Sequence, residues 1–82
     1  MRKEIKEFAE VMEKEMQRHD PKKGDSWKSM PIEGLKDILE GAIEDYRYAG
    51  DYWEEMEELI DIANLAMMLW HRCKEEVDKN ET

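Results

Sequence analysis

The chain has 82 residues, of which 43% are charged and 40% hydrophobic, with four Gly and two Pro. This allows one domain at most and is a helix-forming vocabulary, and the three Trp, three Tyr and seven Met exclude disorder. A formal net charge of −9 repels nucleic acid and anionic membranes and attracts divalent cations. A single cysteine forms no intramolecular disulfide. With no signal peptide and no run of about 18 apolar residues, a cytoplasmic location is expected.

Three helices follow from the apolar period. Over about residues 3–19, Ile5, Phe8, Ala9, Met12 and Met16 make one apolar stripe on a charged helix, which Asp20-Pro21 stops. Residues 20–30 form a polar loop holding Trp27. The second helix, about 31–49, begins at Pro31 in its first turn and carries Ile32, Leu35, Ile38, Leu39, Ala42, Ile43 and Tyr46. Gly50 suits a C′ position, and Asp51 with Glu54 is a capping-box variant opening a third helix over about 51–79. So tight a link makes the two an antiparallel hairpin. The main stripe of the third helix is Trp53, Met56, Ile60, Ala63, Met67 and Trp70, widened by Leu59, Leu65, Met68 and Leu69. One short hairpin partner does not cover that width. The expected fold is all-α, three helices that complete a four-helix-bundle core by pairing as a homodimer or dimer of dimers. Asn80 to Thr82 read as a frayed tail.

The most unusual local feature is acidity. From Asp51 to Asp61 there are six acids and no base, and Glu54, Glu58 and Asp61 share one helix face. Across the hairpin Glu40 and Glu44 are four apart. Carboxylates gathered from two helices suit Mg²⁺, or Mn²⁺, with waters left for a phosphate. The plainer alternative is a solvated acidic surface. Trp27 is either a stacking partner for a nucleobase or a plug that packs the loop. Lys22, Lys23 and Lys28 either touch a triphosphate or moderate local charge. His19 and His71 make no zinc spacing, and Cys73 reads as a small buried or half-buried residue.

The run Glu58-Leu-Ile-Asp61-Ile-Ala-Asn64-Leu-Ala-Met-Met68 resembles the ExxD segment of the MazG-like all-α nucleotide pyrophosphohydrolases, closest to their short phage-type branch. Lys23-Gly24-Asp25-Ser26-Trp27-Lys28, leading to Met30-Pro31-Ile32, is similar to that branch's K-G-x-W element, and Leu35, Leu39, Ile43 and Tyr46 match the apolar frame of its second helix. The likeness covers about Met12 to Trp70. It implies Mg²⁺-dependent cleavage of a nucleoside triphosphate to monophosphate and pyrophosphate. It further implies Glu58 and Asp61 as catalytic metal ligands and Asn64, Trp27 and Lys28 at the substrate. The EExxE half of the family's metal site departs from the pattern. In register with the apolar frame, Gly41 and Ala42 stand where paired glutamates belong, and Asp45 where the third belongs. Sliding by one residue recovers Glu40 and Glu44, but rotates the helix by about 100° and takes Ile43 and Tyr46 off the core. Asp45 is therefore the expected third metal ligand, with Glu40, Glu44 and Glu54 as auxiliary carboxylates. The alternative is a catalytically degenerate relative that binds nucleotide or a protein partner, with Gly41 admitting a neighbouring helix. A purely structural helical dimer is the blandest option.

Overall fold

The computed structural model describes residues 1–21 and 24–80. Among these the chain is wholly helical: α1 (Lys3–His19), a single 3₁₀ turn at Ser26–Lys28, α2 (Ile32–Arg47) and α3 (Tyr52–Asn80). None of these helices is long and apolar enough to cross a membrane. Lys22 and Lys23, and Glu81 and Thr82 of the expected tail, lie outside the described residues; Asn80 itself closes α3.

α3 is the spine. Its 29 residues span about 44 Å at 1.5 Å each, nearly the 46 Å long dimension of the molecule. α2, α1 and the 3₁₀ turn all pack on it. α1 runs antiparallel to it, since the Asn64 amide reaches the Met12 carbonyl while Glu15, one turn further along α1, faces Asp61, one turn back along α3.

The helix ends differ from the sequence expectation in small, physical ways. Asp20 keeps right-handed helical angles (φ −50°, ψ −43°) and its N–H reaches the Met16 carbonyl. The break falls after it, where Pro21 has no N–H to continue the ladder. Pro31 is the extended residue before α2, not part of its first turn; its carbonyl accepts the Leu35 N–H at 3.2 Å. Gly50 is not a left-handed C′ residue: the sole positive-φ glycine described is Gly24 (φ +50°). Gly50 instead donates its N–H to Glu54 Oε2 at 2.7 Å, while the Glu54 N–H reaches Asp51 Oδ1 at 2.8 Å. The reciprocal cap thus reaches back one residue further than a capping box does.

The core is thin. Leu35 (1% exposed) and Ala42 (8%) are its fully buried apolar residues, and α1 buries none completely. Cys73 is exposed rather than half-buried, because it falls between the two apolar sides of α3. Gly41 is exposed, and a Cβ built on it meets nothing within 4 Å, so no helix of this chain approaches it.

The loop between α1 and α2 is held by Arg72, whose Nη1 donates to the carbonyls of Trp27 (2.8 Å) and Met30 (2.5 Å). Its guanidinium is mostly buried and faces Glu75 at 3.7 Å. One charged donor satisfying two carbonyls anchors the segment that carries Trp27. Replacing Arg72 with Met keeps the apolar stem but orphans both acceptors; a loss of about 1.5–3 kcal/mol in urea unfolding is expected. Arg72→Lys, able to reach one carbonyl at a time, should recover only part. A wild-type midpoint in Arg72→Met would show that the tie does not hold the loop.

Candidate functional site

The three helices and the loop line a half-open cavity of about 340 Å³, within the usual range for small-molecule sites. α3 supplies Glu58, Asp61, Asn64, Leu65 and Met68; α2 supplies Leu35, Ile38, Ala42 and Asp45; the loop supplies Gly24, Ser26, Trp27 and Met30. α1 and the residue after it add Glu15, Met16, His19 and Asp20. The cavity is graded. Successive turns of α3 run from the carboxylates of Glu58 and Asp61, through Asn64 and Leu65, to Met68 beside the Arg72-held loop.

Five residues picked out by sequence meet here: Trp27, Asp45, Glu58, Asp61 and Asn64. The others do not. Lys28 is not part of the lining; it pairs with exposed Asp25 at 3.3 Å and lies 5.6 Å from the Trp27 ring centre. Glu40 and Glu44 are exposed outside the cavity lining, and Glu54 is occupied in the cap. Ala42 and Asp45 reach the cavity whereas Glu40 and Glu44 do not, because Leu35 and Ala42 turn their side of α2 inward.

Glu15 and its neighbours were not legible in the sequence, since their place depends on how α1 docks. Their one trace is position: Glu15 and His19, four apart, flank Met16 on the stripe. Glu15 accepts from Arg18 (Nε at 3.2 Å, with a closer Nη2 contact) and lies 3.1 Å from His19 Nε2. Hydrogen bonding from Arg18, joined by the charges of Arg18 and His19, outweighs desolvation and holds its carboxyl below the ordinary carboxylate range. A second depression, lined by Glu15, Arg18, Glu57, Glu58, Ile60 and Asp61, opens on the other side of the same acids.

Glu58 and Asp61 shift the other way. Desolvation, then the charges of Asp61, Asp45, Glu57 and Glu54, raises Glu58. Desolvation, then Glu15, raises Asp61 against the opposing pull of His19 and Arg18. These carboxylates hold a proton more readily than free ones do. Among the described residues, however, no three Asp, Glu, His or Cys side chains converge closely enough to hold a metal ion between them.

Two polar atoms of the lining are buried without a partner: Trp27 Nε1 and Asn64 Oδ1. Asn64 is the buried polar residue of the fold, 5% exposed, and its Nδ2 donates to the Met12 carbonyl at 3.2 Å.

A carboxyl with a raised folded pKa binds its proton more tightly folded than unfolded. Its stabilising effect is therefore greatest at low pH and is lost as pH climbs from the ordinary 3.8 of Asp61 through the raised folded value. Asp61→Asn escapes that loss. It should resist urea slightly better than the parent at neutral pH, by under about 1 kcal/mol because the group is still partly open to water. The difference should close below pH 3.8. A destabilised Asp61→Asn at neutral pH would mean that the charge is structural.

No protein-family model, curated protein or solved structure matches this chain, so its function rests on the chemistry of the cavity.

Proposed function

We propose that the chain is a MazG-like nucleotide pyrophosphohydrolase, taking a nucleoside triphosphate with Mg²⁺ and releasing monophosphate and pyrophosphate. The observation that supports this reading is the single cavity shared by Trp27, Asp45, Glu58, Asp61 and Asn64. Its apolar end suits a base, and its acidic end suits phosphates only if a cation lies between.

The donor set fits such an ion in a limited way. Hard carboxylate oxygens are of the right class, and their mutual repulsion is what a divalent cation relieves. The lack of a three-ligand cage suits Mg²⁺ that keeps its waters and is bound by one or two carboxylates plus the substrate's phosphates. Glu58 and Asp45, with Asp61 beside them, would hold it. When bound, the ion would offset phosphate charge and acidify the attacking water. Asp61, with its raised proton affinity, would take a proton from the attacking water as the water oxygen bonds to the α-phosphorus. The bond from the α-phosphorus to the bridging oxygen breaks, and that oxygen leaves with pyrophosphate.

A second reading, a degenerate binder, is favoured by one observation: Ala42 lines the cavity and, like Gly41, brings no carboxylate. Pyrophosphate release from ribo- and deoxynucleoside triphosphates with Mg²⁺ or Mn²⁺ decides between them. Turnover is expected, falling at least about 100-fold in Asp61→Ala. No turnover in the parent, with a gain in the double variant Gly41→Glu/Ala42→Glu, would establish the degenerate binder. Space beside Gly41 admits the longer side chain. Turnover undiminished in Asp61→Ala would remove Asp61 from the mechanism.

The same reading includes a homodimer. Trp53 (75% exposed), Met56 and Trp70 (60%) stand out along the main stripe of α3, and Ile43 is exposed on α2. At 100° per residue that stripe lies roughly 140° around α3 from the cavity face, so pairing through it leaves the cavity open. Light scattering should give twice the 9.9 kDa chain mass at micromolar concentration, and Trp53→Glu should shift it toward one chain. A parent that stays monomeric would end the four-helix-bundle reading.

A further inference from the structure

We infer that the cavity reads the hydrogen-bonding edge of a nucleobase through two groups the fold leaves unpaired, the indole N–H of Trp27 as donor and the side-chain carbonyl of Asn64 as acceptor. The inference rests on the nucleotide reading above but deepens it, since neither group touches phosphate or metal chemistry.

Both atoms are buried and lack a partner, and both residues line the one cavity. Folded proteins rarely leave buried polar atoms unpaired, because each forfeits its bonds to water. Two such atoms of opposite polarity in one cavity mark a ligand of matching polarity. Their roles are fixed. An indole nitrogen only donates. The Asn64 amide cannot turn over, because its Nδ2 already gives a hydrogen to the Met12 carbonyl, and the reverse orientation would set two acceptors face to face. Asn64 Oδ1 is therefore an obligate acceptor, and the ligand must bring an N–H or O–H to it while offering an acceptor to Trp27.

The rest of the lining narrows the class. Around these two groups stand Met30, Leu35, Leu65 and Met68, an apolar surround that suits a flat ring and not a sugar or an inorganic anion. The carboxylates one turn below Asn64 exclude a free anion at that level. A heterocycle with a ring or exocyclic N–H beside a carbonyl or imino acceptor meets all three conditions. Arg72 enters as a positioning residue: by holding the Trp27 and Met30 carbonyls it sets where the indole lies.

The test uses nucleosides without phosphate or metal, so that it stands apart from hydrolysis. In the ¹⁵N-labelled full chain, the indole N–H signal of Trp27, assigned by its loss in Trp27→Phe, is followed as adenosine, guanosine, cytidine and uridine are added. At least one nucleoside should move that signal while those of Trp53 and Trp70 stay. Its N-methylated counterpart, with no N–H left on the base, should bind about tenfold more weakly, as should the parent nucleoside to Asn64→Leu. The methylated ligand needs no variant, so the test holds even if Asn64→Leu unfolds. A Trp27 signal that no nucleoside moves, or equal binding of the methylated form, overturns the inference. Pyrophosphate release without any nucleoside response would sink this inference alone; a nucleoside response without pyrophosphate release would sink only the hydrolase.

Discussion

α1 is fastened to the spine at a buried polar point, where the Asn64 amide donates to the Met12 carbonyl at 3.2 Å. Apolar contact alone would not set the height of this helix, since α1 buries no residue completely. A hydrophobic stripe tolerates sliding; a hydrogen bond in a dry place does not, because its loss leaves both partners unsatisfied. That bond decides that Glu15 lies level with Asp61, that Met16 and His19 wall the cavity, and that Oδ1 of Asn64 is left over. One turn of slippage, about 5.4 Å, would dissolve all three relations.

Above that level Arg72 does for the loop what Asn64 does for α1. Both tie a separate segment to α3 by donating from a side chain to main-chain carbonyls, and both are spaced so that the carboxylates lie beyond them on the same helix. Against these ties stands an arrangement that stability alone would not favour. Glu58 and Asp61 hold their protons more tightly than free carboxylates because they are desolvated among like charges. A fold that keeps such repulsion, and two orphaned polar atoms, in one cavity breaks local rules there, and such departures concentrate at functional sites.

The helices themselves were legible because their signals are local. Leu35, Leu39, Ala42 and Tyr46 keep their period whatever they pack against, and Asp51 with Glu54 caps α3 without outside help. The register of α2 was also readable, since a core frame dictates rotation, and Asp45 rather than Glu40 or Glu44 reaches the cavity. What stayed hidden depends on contacts distant in sequence. Glu15 became part of the lining only through Asn64, 49 residues away. Arg72 carries no local signal of its role, because the loop folds back to it across 42 to 45 residues. Lys28 misled for the same reason in reverse: a base next to Trp27 suggested phosphate, but a nearer acid, Asp25, claimed it. Gly50 had the composition of a C′ glycine, yet Glu54 took its N–H in an ordinary backbone conformation.

The two sides of α3 belong together in one electrostatic argument. A chain with net charge −9 gathers part of that charge around one cavity and turns apolar Trp53, Met56 and Trp70 the opposite way. Two such chains repel at long range, and salt at physiological strength screens that repulsion beyond about 8 Å. In the proposed dimer, contact through the apolar side would let short-range burial act while keeping the acid clusters apart. Were the carboxylates on the pairing side, each would add desolvation to repulsion at the seam. Placed as they are, they would stay reachable by the cation of the proposed site. The segregation of charge and apolar surface on a single helix would thus let the proposed pairing and the proposed site coexist, without either compromising the other.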